Sequence, residues 1–138
     1  MNPSDPPNAP TTHHLGDLQL AIMHVLWDHE EATVAQVHQA LAEDRGLALT
    51  TIATMLNKME VKGVVTHRTE GRRFVYRPVI SERDVRRAML GDLTDRLFAG
   101  DVTAVVSHLL AEREVDPQEL SQLRAMIERF DREENGRD

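Results

Sequence analysis

The 138-residue chain predicts a mainly α protein with a small β component, built as an N-terminal winged helix-turn-helix with a C-terminal helical dimerisation arm. Three observations predict it. Apolar residues recur at three-and-four spacing through three short segments ahead of Lys62-Gly63. The period then shortens to that of a β-hairpin around Glu70-Gly71. From Ser81 onward three further amphipathic segments carry narrow apolar stripes. Three helices followed by a hairpin is the order of a winged helix.

Each element has a local reason. Leu15, Leu18, Ala21, Ile22, Val25 and Leu26 share one helical face, which Trp27 closes as a core plug. Asp28 to Ala32 reads as a polar interruption, and Thr33 as the N-cap of a second helix burying Val34, Val37, Ala40 and Leu41. A third helix starts at Leu49 or Thr50, turns Ile52, Met55, Leu56 and Met59 inward, and ends at Lys62-Gly63. Val64–Thr69 and Arg72–Arg77 suit two strands, the second closed by Pro78. Ser81, Asp101 and Asp116-Pro117 then start three helices. Their stripes are Val85, Met89, Leu93 and Leu97; Val102, Val105, Val106, Leu109 and Leu110; and Leu120, Leu123, Ile127 and Phe130. Helices this thin need a partner surface, and a second copy of the chain is the simplest supply. The expected organisation is a disordered tail at 1–13, a winged-helix domain at 14–80, a helical dimerisation domain at 81–133 and a frayed end at 134–138.

Composition narrows the function classes. With 41% hydrophobic and 28% charged residues the chain reads as a soluble globular protein rather than a disordered one. The absence of cysteine removes disulfides and thiolate chemistry and fits a reducing cytoplasm. Neither a leader nor a membrane anchor is expected from Met1–Thr12, so no membrane insertion is expected. The net charge of −7 is unevenly spread. Between Leu47 and Ile80 six cations face only Glu60 and Glu70, leaving that segment at +4 in an otherwise acidic chain. A polyanion would dock there and be repelled elsewhere.

In a winged helix the third helix enters the major groove. Its outward set here is Thr50, Thr51, Thr54, Asn57 and Lys58. Threonine offers a hydroxyl and a methyl, asparagine bonds adenine bidentately, and lysine reaches phosphate or guanine. At the hairpin tip, Arg68, Thr69, Arg72 and Arg73 would meet the DNA backbone or minor groove. Taken singly, these have plain alternatives: a threonine at a helix start is often a cap, and arginines often guard a hairpin edge. Seven histidines form no ligand spacing backed by carboxylates, so no metal and no cofactor are expected. Ser107 and His108 are adjacent and diverge on a helix, so no nucleophile–base pair arises and no enzyme is expected. The rival reading is a winged-helix protein-interaction module without specific DNA binding.

Leu15-Gly16-Asp17-Leu18, Val25-Leu26-Trp27-Asp28, Thr33–Val37, Thr50–Met59, Gly63-Val64-Val65 and Phe74-Val75-Tyr76 together resemble the penicillinase-repressor family. That group holds the β-lactamase, methicillin-resistance and copper-responsive repressors. The Gly100-Asp101 step after Phe98 matches the family's break between two dimerisation helices. The resemblance implies a homodimeric repressor on a palindromic double-stranded operator with TACA-type half-sites. It implies DNA contacts at the residues already named. Several members carry Arg where this chain has Ala53. In the β-lactam branch a membrane metalloprotease sensor triggers cleavage of an Asn-Phe bond in the middle dimerisation helix. His108-Leu109 stands at the corresponding place, and Leu109 also has a plain core role. The copper branch binds metal through C-terminal cysteines, which this chain lacks. The releasing signal stays open between a protease of different preference, a small ligand and other triggers.

Overall fold

The computed structural model describes residues 15–136; the tail expected at 1–13 and residues 137–138 lie outside the described residues. The chain divides into two compact units, at Leu93/Thr94. The first holds α1 (Asp17–His29), β1 (Ala32–Thr33), α2 (Val34–Arg45), α3 (Leu49–Lys62), β2 (Val65–Glu70), β3 (Arg73–Pro78) and the start of α4 (Glu82–Phe98). The second holds the end of α4, α5 (Val102–Glu112) and α6 (Pro117–Asn135).

In the first unit the apolar stripes read from the sequence converge. Ile22, Met23 and Leu26 of α1, Val37 of α2, Ile52, Leu56 and Met59 of α3, and Val64 and Val65 entering the hairpin form a sealed core. Met55 is only half-buried, and Ala40, expected on the inner face of α2, is exposed because that face is already filled by Val37 and Leu41. Helix ends follow the expected chemistry. The Thr33 backbone N–H donates to Gln36 Oε1 (2.8 Å) while Gln36 N–H donates to Thr33 Oγ1 (3.2 Å), a complete capping box. Gly63 takes φ +89°, its N–H donating to the Glu60 carbonyl (3.0 Å) and the Val64 N–H to the Met59 carbonyl (3.1 Å). Helix α3 begins at Leu49 after Ala48, with no side-chain cap, so Thr50 is not a capping residue.

The sheet departs from the expected two strands. β1 adds a third, giving the order β1-β3-β2, all antiparallel, with Ala32 opposite Tyr76 and Thr33 opposite Val75. Ala32, expected in a polar interruption, is buried there at 2% exposure. The hairpin pairs Glu70 with Arg73, so Gly71-Arg72 forms the two-residue turn, one position later than expected, with Gly71 at φ +64°. Trp27 Nε1–H donates to the Ile80 carbonyl (3.0 Å), tying α1 to the segment after the hairpin.

Ser81 caps α4, its hydroxyl accepting from Asp84 N–H (3.0 Å). The first turns of this helix belong to the first unit, not to a separate domain beginning at 81. Val85, expected in a dimerisation stripe, is 2% exposed in the first unit's core, and Met89 packs against that core. Val85, Met89, Leu90 and Leu93 also line, with Leu20, His24 and Trp27 of α1, a cavity of about 330 Å³.

The second unit is capped as its sequence implies. Asp101 accepts from Ala104 N–H (3.1 Å), and Asp116 accepts from Glu119 N–H (2.7 Å) ahead of Pro117. Ala99 and Gly100 take positive φ (50° and 80°) and break α4 from α5. No residue of α5 or α6 is buried. Val105, Leu120 and Leu123 are partly covered, whereas Val102, Val106, Leu109, Leu110, Ile127 and Phe130 are exposed. Glu134 and Asn135, expected to fray, are the last residues of α6.

Candidate nucleic-acid interface

Because Ile52, Leu56 and Met59 bury one face of α3, the helical period turns Thr50, Thr51, Thr54, Asn57 and Lys58 outward, and all five are exposed. Thr50, Thr51, Thr54 and Lys58 line one shallow concavity of about 250 Å³ with Met55. Two contacts fix the helix behind this face. Gln19 of α1 donates from Nε2 to the Met55 sulfur (3.5 Å) and accepts from Lys62 Nζ (3.2 Å). The exposed surface is thus a row of hydroxyls, one carboxamide and one ammonium on a braced helix, the group types that read base edges and phosphates.

The wing is built on β2 and β3. Thr69, Arg72 and Arg73 are exposed at its tip, and among the described residues Arg72 and Arg73 have no ion pair. Arg68 is placed differently. Its strand position is opposite Val75, which is in turn opposite Thr33 of β1, so its side chain lies on the sheet face that leads to Glu31. The Arg68 guanidinium donates to both Glu31 carboxylate oxygens (2.5 and 3.0 Å) and to Glu70 (2.9 Å). The paired charges act on each other: Arg68 holds the Glu31 carboxyl below its usual range, and Glu31 with Glu70 raises the Arg68 guanidinium above its own.

Helix α3 and the hairpin are joined by Glu60 and His67. The Glu60 carboxylate lies 2.7 and 2.8 Å from His67 Nδ1, both side chains being about a quarter exposed. The imidazole stacks 4.4 Å from the Phe74 ring and 5.3 Å from Tyr76. Burial, with the Glu60 charge, pushes the Tyr76 phenol up. Glu31, Glu60 and His67 were not singled out in the sequence. Glu60 did carry a signal, being one of only two acids in the basic segment; Glu31 carried none, since its partner is 37 residues away.

Of the remaining described histidines, His29 is exposed at the end of α1, and the other three are placed as ordinary structural groups. His38 Nε2 is bonded to the Leu47 carbonyl (2.8 Å), His24 stands edge-on to Trp27, and His108 edge-on to Phe98. His13 and His14 lie outside the described residues.

A three-helix core, a β-wing and a helix presenting threonine, asparagine and lysine define a winged-helix protein of the transcription-regulator class. The chain belongs to the penicillinase-repressor family, whose profile, "Penicillinase repressor", matches residues 15–129. It is 29% identical to the penicillinase repressor of Bacillus licheniformis over 114 residues, 83% of this chain and 89% of that one. It is 35% identical to the transcriptional regulator BlaI of Mycobacterium tuberculosis over 98 residues, 70% and 71% of the two chains. Against the methicillin resistance regulatory protein MecI of Staphylococcus aureus it is 16% identical over 116 residues, 84% and 94% of the two chains. Among solved structures it matches the DNA-binding domain of the repressor BlaI at 34% identity and a TM-score of 0.49, covering 55% of this chain and 93% of that one.

Proposed function

We propose that this protein represses transcription by binding, as a homodimer, a palindromic operator in double-stranded DNA, in the cytoplasm. The observation that carries this reading is the exposed face of α3, where Thr50, Thr51, Thr54, Asn57 and Lys58 are turned outward together on a helix braced by Gln19 and Lys62. Asn57 and Lys58 contact base edges and phosphate, the threonines fix register, and Thr69, Arg72 and Arg73 hold the flanking backbone. The uncovered apolar residues of α5 and α6, together with Leu97, supply the dimer surface. Occupation of the promoter excludes polymerase. Release is proposed to come through cleavage by a membrane metalloprotease sensor at His108-Leu109, within α5, or through another signal.

The test is a gel-shift titration on the promoter of the protein's own gene, at two salt concentrations with random duplex as competitor. The unmodified protein is expected to give a discrete shift that survives competitor and weakens steeply with salt. The double variant Asn57→Ala/Lys58→Ala is expected to lose that shift while keeping its oligomeric state. Normal operator binding by this variant would refute the assignment of α3 as the reading helix.

A further inference from the structure

The wing holds one arginine that the geometry takes out of the DNA-contacting set. We propose that Arg68 is a positioning residue, held by Glu31 and Glu70, and that the two carboxylates withhold its charge from DNA phosphate. This rests on the DNA-binding reading above and alters its electrostatics.

Three observations carry it. First, Arg68 meets Glu31 through both carboxylate oxygens, with Glu70 as a third contact. A two-pronged guanidinium–carboxylate pair is the strongest geometry such groups form, and the added carboxylate makes it a small network rather than an isolated surface pair. Second, the cluster of Glu31, Arg68 and Glu70 carries a formal charge of −1, and Arg77, whose charge also acts on Glu31, brings it to zero, so this part of the wing offers a phosphate no net attraction. The neighbouring Arg72 and Arg73 have no ion pair among the described residues. Third, Glu30, directly ahead of Glu31, takes φ +69°, ψ −38°, a conformation that non-glycine residues seldom adopt. The turn after α1 therefore departs from ordinary backbone geometry at the point where it delivers Glu31 to the wing. Strain of this kind persists only where surrounding contacts fix it, and the Arg68 pair and the β1 pairing with β3 are such contacts.

The consequence appears in the salt dependence of binding. Each lysine or arginine that neutralises a phosphate releases counterions and adds about 0.9 to the slope of log affinity against log salt. A cation already neutralised within the protein adds nothing. Arg72→Ala and Arg73→Ala are each expected to flatten the slope by about 0.9 per reading head. Arg68→Ala is expected to weaken binding by no more than about fivefold, the range of an exposed ion pair, at unchanged slope. In Glu31→Gln/Glu70→Gln the guanidinium is freed, and the slope steepens by about 0.9 per head. Adding Arg68→Ala to that pair returns the slope to its original value.

The experiment is a fluorescence-anisotropy titration of the full chain and these variants on a duplex from its own promoter across a salt series, with a random duplex in parallel. Slope loss on Arg68→Ala as large as on Arg72→Ala would overturn the inference, because it would show that DNA opens the clamp. Steepening in Glu31→Gln/Glu70→Gln that persists without Arg68 would overturn it as well. Failure of the unmodified protein to bind any duplex would remove the DNA reading and this inference together, and it is seen before any variant is made.

Discussion

Single residues in the first unit have sharply different energetic weights. Leu56 is completely buried in the core, and truncation there removes both transferred surface and packing. Leu56→Ala is expected to lower unfolding free energy by about 2–5 kcal/mol, measured by urea denaturation. Trp27 acts through one atom more than its ring: its indole N–H is bonded to the Ile80 carbonyl. Trp27→Phe keeps most of the apolar body and deletes that donor, and is expected to destabilise by about 1–3 kcal/mol. Glu30 should behave oppositely. Glycine reaches its φ of +69° without a Cβ penalty, so Glu30→Gly is expected to raise the melting temperature despite the greater freedom of the unfolded chain. A lower melting temperature would mean that the turn is not strained.

At the scale of elements, the legible part of the fold is the part written in local chemistry. Thr33 three residues ahead of Gln36, Lys62 ahead of Gly63, and Asp116 ahead of Pro117 mark helix ends by short-range hydrogen bonding, and each marks a real boundary. Thr33→Ala is accordingly expected to cost about 1 kcal/mol, seen as a lower urea midpoint with an unchanged slope. β1 was invisible because two residues have no period to read; Ala32 and Thr33 become a strand only by pairing with Tyr76 and Val75 far along the chain. The same distance hid the Arg68–Glu31 pair, since polar surface partners leave no pattern in sequence. Within α4 the stripe Val85, Met89, Leu93 and Leu97 looked like one surface. Its first two members instead complete the core laid down by α1, which is why the unit boundary falls inside the helix. The exposed face of α3 was legible for a different reason: burying three apolar residues at helical spacing fixes which side chains are left outside.

At the scale of the whole molecule, the two units differ in what they can hold by themselves. The first has a sealed core of aliphatic residues. The second has no buried residue in either α5 or α6, and leaves Leu97 and Phe130 at 72% and 65% exposure. Apolar surface left in water forgoes about 25 cal/mol for every Å² that a partner could cover, and this is the driving force that the proposed association of two chains would use. In the proposed dimer, joining two heads would convert the second half-site contact into an intramolecular event and raise operator affinity by about 10²–10⁴-fold over one head without any new base contact. Charges placed on the apolar face therefore separate the roles of the units. Leu97→Asp/Phe130→Asp is expected to sediment as a monomer and to lose about 10²–10⁴-fold in operator affinity. Its first unit should still fold, since neither residue belongs to that core. The Trp27 fluorescence transition in urea reports that folding directly. A variant that stayed dimeric would show that the exposed faces of α5 and α6 are not what hold two copies together. A monomer with undiminished affinity would show instead that one head alone accounts for operator binding.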